Sequence, residues 1–490
     1  MNDINQFYSD LCNSVSKAQT AAYTYQGKSV NYPEFIKLAE CIHSKFSDCQ
    51  NTPIITMLNK DIKSYAAILA IVLSGNTWVP LSTSSPPHRN AAIIKNFNNA
   101  ILMIDQELDE KLYEIRNNKN IRVLNINTLV NCHKKVPFTP LNFDPESDAM
   151  IYFTSGSTGE PKGVRITHRN YISVIKNIMK LVPWPVNGVY ADYHDLSFVI
   201  SIPILFSCWL TQSAISPALA PEEIFLPIDN LKENKVNVLI TVPSTIARIK
   251  QVRPNGIEGL NLDVIINCGE PLHLDILDYS LQLAQNGNVF NFYGSTEVAP
   301  WTFYHHCKKG DSERFKSIGY APIGTLLPGN IMAIDKKTSE LKITGPQITP
   351  GYLFADNSEQ FIIDNGERWY KTGDKVIEFE ELYVCKGRLD SQIKLNGYRI
   401  ELMDVEAHLR TIPNVNSAVC FVSNKNKNRP IFITVINAKK AVELAEVRDH
   451  LKNKLPSYMI PRKVYNMPNI PVNKSGKIDR LAVKAMFEKK

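Results

Sequence analysis

The chain has 490 residues, 44% of them hydrophobic, with 55 Lys and Arg against 48 Asp and Glu and a formal net charge of +7. That length exceeds what one domain usually spans, so two or more domains with a large buried core are expected. The positive excess is dispersed, with no basic stripe interleaved with aromatics, which argues against a nucleic-acid groove and fits phosphate-bearing small ligands or an acidic protein partner.

The N-terminus, MNDINQFYSD, lacks the basic-then-apolar pattern of a signal peptide. The apolar segments at Ala66 to Leu73 and Phe198 to Leu210 are too short, or too broken by serine and proline, for the roughly 20 residues of a bilayer span. None of the nine cysteines (12, 41, 49, 132, 208, 268, 307, 385 and 420) forms a CxxC pair. An odd, scattered set implies reduced thiols, so a soluble, cytoplasmic protein without disulfides is expected.

In chain order, short apolar β-branched runs read as strands at Pro53 to Met57, Ala100 to Ile104, Ala149 to Phe153, Val164 to Ile166, Val238 to Val242, Val264 to Asn267 and Val289 to Phe292. Helical spacing falls between them, at Ser64 to Leu73 and Tyr171 to Leu181. Strands alternating with helices predict layered, mostly parallel α/β subdomains. After about Asp390 the pattern changes: helices at Leu402 to Leu409 and Val442 to Leu455, and strands at Ala418 to Val422 and Ile431 to Ile436, predict a small α+β domain of roughly 100 residues. The expected division is 1–389 and 390–490.

One stretch carries chemistry on its face. "IYFTSGSTGEPKGV" (Ile151 to Val164) runs a buried strand into four side-chain hydroxyls, three glycines and Lys162. The glycines let the backbone approach a ligand closely, and consecutive N–H groups, hydroxyls and an ammonium make a phosphate cradle. It is not a P-loop, because Gly163 follows the lysine and a second strand, not a helix, comes next. A surface Ser/Gly linker is the bland alternative.

"YFTSGSTGEPKGV" resembles the phosphate-binding signature of the adenylate-forming superfamily, which includes acyl-CoA synthetases, firefly luciferase and the adenylation domains of nonribosomal peptide synthesis. Further stretches match in the same order: "TWVPLS" (Thr77 to Ser82), "HDLS" (His194 to Ser197), "NFYGSTE" (Asn291 to Glu297), "SELKITGPQITPGY" (Ser339 to Tyr352), "YKTGD" (Tyr370 to Asp374), "GRLDSQIKLNGYRIEL" (Gly387 to Leu402) and "NKSGKIDR" (Asn473 to Arg480). Within the superfamily, "GRLDSQIKLNGYRIEL" and "PSYMIPR" (Pro456 to Arg462) are most similar to D-alanine:carrier-protein ligases and related stand-alone amino-acid adenylating enzymes. The implied fold is a large N-terminal adenylate-forming domain of layered α/β subdomains with a small, mobile α+β C-terminal domain.

The resemblance also implies roles. ATP and Mg²⁺ are the implied cofactors, and joining a carboxylate to the α-phosphate of ATP brings two anions together, so cations and oriented donors must supply most of the catalysis. Lys477 matches the catalytic lysine that bridges carboxylate and α-phosphate; on local sequence alone it is a surface lysine. Thr154, Ser155, Gly156, Ser157, Thr158, Gly159 and Lys162 match the β- and γ-phosphate loop. Thr296 and Glu297 match positions at the α-phosphate and metal, where one glutamate suffices for a magnesium ion that keeps most of its waters. Asp374 matches the ribose-binding carboxylate, beside Arg388; the local alternative is a turn residue after Gly373. Asn291, Phe292, Tyr293 and Gly294 belong to the nucleotide-binding stretch, with Tyr293 against adenine. Asp390 matches a hinge, and His194 and Gly397 a thiol channel.

Asp195 occupies the position that pairs with the α-ammonium in amino-acid-using members; the local alternative is an N-cap of the helix expected over Phe198 to Leu210. A buried carboxylate without its partner costs about 3–5 kcal/mol, enough to reject acids lacking an amine. The rest of the implied pocket is Val199, Thr241, Ile266, Cys268, Phe292, Pro300 and Trp301. Phe292 and Trp301 are large, so a small amino acid such as alanine, glycine or serine is expected. Ser295 and His194 depart from the family's usual proline and phenylalanine. The expected acceptor is the phosphopantetheine of a separate, acidic carrier protein, matching the +7 charge. Two other functions fit the same motifs: an acyl- or aryl-CoA ligase using free CoA, and a nucleotide-binding regulator that has lost the reaction.

Overall fold

The computed structural model describes residues 3–107, 115, 118–129, 135–138, 142–154, 161–356, 359–389, 392–423, 430–471 and 478–488. The apolar runs form two large sheets. A nine-stranded sheet runs in the order Thr325–Leu326, Phe303–Cys307, Asn288–Tyr293, Val264–Cys268, Val238–Thr241, Val189–Asp192, Ala214–Pro217, Ala21–Tyr25, Lys28–Asn31. A seven-stranded sheet runs Tyr352–Leu353, Lys162–Thr167, Asp148–Thr154, Thr77–Pro80, Pro53–Met57, Ala100–Ile104, Ile121–Asn125. The inner strands of both pair in parallel, as buried runs without polar alternation should.

Neighbouring residues on one strand serve different cores, because side chains alternate across a sheet. Ile54 and Ile240 join the layer between the two sheets, together with the helices Ile62–Leu73 and Ser201–Leu210. Their neighbours Ile55 and Leu239 face outward into separate clusters on the far side of each sheet. The central helices are apolar nearly all round: every residue from Ser64 to Leu73 and from Ser201 to Trp209 is buried.

Helix starts are set by polar side chains. The helix Ile62–Leu73 begins before the apolar spacing does because the Asp61 carboxylate accepts the Ser64 N–H at 2.9 Å. His168–Leu181 likewise starts early, behind a reciprocal Thr167–Asn170 capping box. Ser201–Leu210 starts later than Phe198, and Ile200, the residue before it, makes no side-chain cap. Asp195 is therefore not an N-cap; the local alternative for that residue fails.

A third, antiparallel sheet holds Ile331–Ile334, Glu340–Thr344, Glu367–Phe379 and Phe361–Asp364, with Leu382–Arg388 paired to the long strand. Asp374 lies inside that strand, so the turn alternative for it fails too. Beyond it come the hairpin Gln392–Leu395/Tyr398–Glu401 and the strands Val415–Ser423, Ile431–Ala438 and Lys463–Asn466, packed with the helices Leu402–Leu409 and Leu444–Leu451 around their own apolar clusters. No disulfide joins the described cysteines, which are all except Cys132. Among the described residues, no helix is long and apolar enough to cross a membrane.

Candidate active site

Several segments meet at one cavity of about 540 Å³, lined by Thr154, Lys162, Glu297, Tyr352, Arg388 and Arg399 among others. Thr154 and Lys162 are direct cross-strand partners at the end of the hairpin Asp148–Thr154/Lys162–Thr167. That register brings the hydroxyl and the ammonium to one face of the sheet rim. Lys162 Nζ lies 5.1 Å over the Tyr352 ring. The loop between the two strands, with Ser155, Gly156, Ser157, Thr158 and Gly159, lies outside the described residues, as do Asp390 and Lys477.

Glu297 sits in the single helical turn Thr296–Val298 that follows the strand Asn288–Tyr293, with Thr296 partly exposed beside it. The approach to this turn is tight: a Cβ at Gly294 would come within 2.0 Å of the Pro300 carbonyl oxygen, which only glycine avoids. The Glu297 carboxylate is 1% exposed and accepts from Tyr352 Oη at 2.9 Å and from Arg399 Nη1 at 3.0 and 2.9 Å. Burial alone would raise its pKa; the Arg399 guanidinium and the donors around it outweigh that and hold the carboxyl at about 2.

On the opposite wall, Arg388 Nη1 donates to Asp374 Oδ1 and to the Thr372 carbonyl, both at 3.0 Å, while the Tyr293 hydroxyl donates to Asp374 Oδ2. Lys394 Nζ lies 5.5 Å over the Tyr293 ring. Asn291, on the same strand face as Tyr293, is buried and donates to the Pro322 carbonyl at 2.8 Å. Strand alternation turns the intervening Phe292 the other way, onto Trp301 with ring centroids 4.5 Å apart. The Phe292 side chain thus belongs with the expected substrate pocket and leaves only its backbone to the nucleotide side.

Ile266, Cys268, Phe292 and Trp301 share one apolar cluster, and Val199 packs against it. Pro300 is buried next to them in sequence, and Thr241 is buried with its hydroxyl lacking a protein partner. Asp195 is partly buried in the turn after Val189–Asp192. Its Oδ2 accepts from Ser82 Oγ at 2.6 Å, and its Oδ1 accepts from the Ser197 N–H and hydroxyl at 2.9 and 2.7 Å. Burial and the nearby Lys60 hold the His194 imidazole at about 4, hence neutral near pH 7.

Gly397 meets the N-terminal core directly. Its N–H donates to Glu270 Oε1 at 2.8 Å, the other Glu270 oxygen caps the Ser244 N–H at 2.9 Å, and a Cβ at Gly397 would meet Val242 Cγ1 at 2.6 Å. Its φ of 81° adds a second requirement for glycine. Tyr398 stacks on Tyr458 at 4.1 Å and edges against Phe198 at 5.1 Å. Arg399, Tyr352, Glu270 and Lys394 were not singled out from the sequence. Arg399, Tyr352 and Lys394 stand inside quoted motif stretches and Glu270 lies two residues after Cys268, but only tertiary proximity shows what each side chain touches.

The family model described as AMP-binding enzyme matches residues 14–353, and the one described as AMP-binding enzyme C-terminal domain matches residues 404–477. A D-alanine--D-alanyl carrier protein ligase of Bacillus cytotoxicus is 28% identical over 463 residues, covering 90% of this chain and 91% of the relative. One of Bacillus cereus is 26% identical over 491 residues, covering 95% and 96%. Among solved structures, the Vibrio cholerae adenylation domain AlmE in complex with glycyl-adenosine-5'-phosphate superposes with a TM-score of 0.82 at 18% identity, covering 99% of this chain and 98% of its own. The Klebsiella oxytoca NpsA-ThdA adenylation-PCP di-domain superposes with a TM-score of 0.80 at 20% identity, covering 94% and 93%. With the first model spanning well over half of the sequence, the chain belongs to the AMP-binding enzyme family.

Proposed function

We propose that the protein activates a small amino acid with ATP as the aminoacyl-adenylate and transfers it to the phosphopantetheine thiol of a separate carrier protein. The observation that carries this reading is the gathering of Thr154, Lys162, Glu297 and Arg388 around one cavity, with Asp374 anchored behind it. The names of the curated relatives, carrier protein ligases for D-alanine, support it, as does the glycyl-adenylate bound by a protein of the same fold.

In the first step a carboxylate oxygen of the amino acid attacks the α-phosphorus, a P–O bond forms, and pyrophosphate leaves. Thr154, Lys162 and the intervening loop would hold the departing phosphates, Asp374 with Arg388 the ribose, and Lys477 the bridging oxygen between the two anions. Glu297 would hold a magnesium ion as a buried carboxylate, an oxygen donor suited to a hard cation, once the Arg399 guanidinium leaves it. Bound there, the ion would neutralise phosphate charge. In the second step the thiol sulfur attacks the acyl carbon, AMP leaves, and a thioester results; Gly397 and His194 would border the thiol's path, with Asp390 as the hinge between the two arrangements. Asp195 would pair with the α-ammonium, and Phe292 and Trp301 would leave room for a small side chain.

Pyrophosphate exchange over glycine, both enantiomers of alanine and serine, larger amino acids, and acetate and propionate tests the reading. Exchange driven by the small amino acids, followed by loading of a carrier in preference to free CoA, is expected. Exchange driven by the simple acids but not by amino acids would remove it.

A further inference from the structure

Lys60 comes from the loop between the strand Pro53–Met57 and the helix Ile62–Leu73, on the opposite sheet from Asp195. It crosses the interface and donates to two peptide carbonyls, Asp192 at 2.7 Å and His194 at 3.1 Å, which flank the turn leading into Asp195. Two more groups cross from the same side. Tyr65 Oη donates to Asp192 Oδ2 at 2.6 Å, and Ser82 Oγ to Asp195 Oδ2 at 2.6 Å. The turn that carries Asp195 is thus held from across the core by a lysine, a tyrosine and a serine.

The charges around it are crowded. Asp192 is buried, with Oδ1 lacking a protein partner; that burial raises its pKa, Lys60 and the Tyr65 hydroxyl oppose the rise, and the Asp195 carboxylate adds to it. Burial lowers the Lys60 ammonium pKa, while Asp192, Asp195 and Glu223 pull it back. By residue type, one lysine stands against two aspartates, an excess of one carboxylate. That suits one incoming ammonium. Without Lys60 the two carboxylates would face each other with no cation reaching them from across the interface.

We propose that Lys60 is a positioning residue for amino-acid selection: it fixes the carbonyls at 192 and 194 and stands as the cation beside Asp192, so that the Asp195 carboxylate is held in place for the substrate ammonium. This rests on the reading of Asp195 given above. Lys60 does not line the cavity assigned to the nucleotide, so its removal should act on the amino acid and not on ATP.

The test is steady-state pyrophosphate exchange by the full chain, using whichever of glycine, alanine or serine drives the wild type fastest, beside the matching acid without the amine (acetate, propionate or 3-hydroxypropionate). Lys60→Met is expected to raise KM for the amino acid about tenfold or more, to leave KM for ATP within about twofold, and to erode the preference over the amine-free acid by a similar factor. Lys60→Arg, which keeps charge and donors, should recover part of the loss. Should Lys60→Met misfold by leaving Asp192 unbalanced, Lys60→Met/Asp192→Asn removes that charge, and the same split between amino acid and ATP is expected. Unchanged amino-acid KM, or equal losses for amino acid and ATP with a lower Tm, would overturn the proposal. If the wild type prefers the amine-free acid, the reading of Asp195 itself fails; if the wild type selects amino acids and Lys60→Met selects them equally well, only the role of Lys60 fails.

Discussion

Arg399, from the C-terminal hairpin, closes on Glu297, in the N-terminal core, with one guanidinium nitrogen 3.0 and 2.9 Å from the two carboxylate oxygens. The carboxylate proposed to serve a magnesium ion is therefore occupied by an arginine in the arrangement where Gly397 lies against Val242. If a magnesium ion took Glu297 in place of Arg399, the ion pair would tie the small domain to the core only in the arrangement without the metal. Arg399→Ala should then leave pyrophosphate exchange within about threefold of wild type while slowing transfer from preformed adenylate to the carrier by about tenfold or more. Equal loss in both half-reactions would count against this division of labour.

The same pair sets a pH window. The Glu297 pKa is held at about 2 against an ordinary value of 4.5, so the group contributes stability that is fully present above about pH 4.5 and is lost as pH falls toward about 2. The Tm advantage of wild type over Glu297→Gln should be constant from about pH 7 to pH 5 and shrink below about pH 4.5, as the acid protonates and comes to resemble the amide. Scanning calorimetry across that range checks it; a difference that stays flat down to about pH 3 would refute the assignment of the shift to Glu297.

Asp195→Ala should lower amino-acid-dependent exchange by about a hundredfold, the cost of removing one buried ionic partner of the ammonium, with KM for ATP little changed. Ser82 and Ser197 hold the carboxylate on both oxygens, so Asp195→Asn keeps the turn while removing the charge. Comparable defects in the two variants would identify charge as the property that matters; a normal Asn variant would identify shape instead.

Legibility in the sequence followed locality. Pro53–Met57 and Ala100–Ile104 have the bounds their apolar runs announce, because five-residue runs with at most one polar residue have nowhere to go except a buried strand. Helix starts drifted wherever a polar cap recruited residues outside the apolar stripe, as Asp61 and Thr167 do. In the site, residues anchored by contiguous motifs, such as Thr154 with Lys162 and Asp374 with Arg388, meet as their spacing suggests. Lys60, Glu270 and Arg399 carry no local signal of their partners. Each makes its contact across a sheet or domain interface, where neither period nor spacing records what lies opposite. Asp195 shows the reverse case: an N-cap is a sound local reading of an aspartate before an apolar helix, and it fails because the intervening residues form a turn of their own.

Under the proposed function, Trp301 would close the side-chain pocket. Its ring is 3% exposed and lies 4.5 Å from Phe292, within the cluster that also holds Ile266 and Cys268. Shortening it opens space at the point where a substrate side chain would end, and each added methylene that fits is worth about 1–3 kcal/mol. Trp301→Leu should therefore raise exchange with valine or leucine relative to alanine by about 10- to 100-fold. The same change removes buried aromatic surface, so the variant is expected to unfold earlier, while Trp301→Ala risks the full cost of about 3–5 kcal/mol for emptying an aromatic site. Exchange profiles over the amino-acid series, read beside Tm, separate the two effects. A Trp301→Leu variant that is less stable but keeps the wild-type order of substrates would show that this ring supports the core without limiting the pocket.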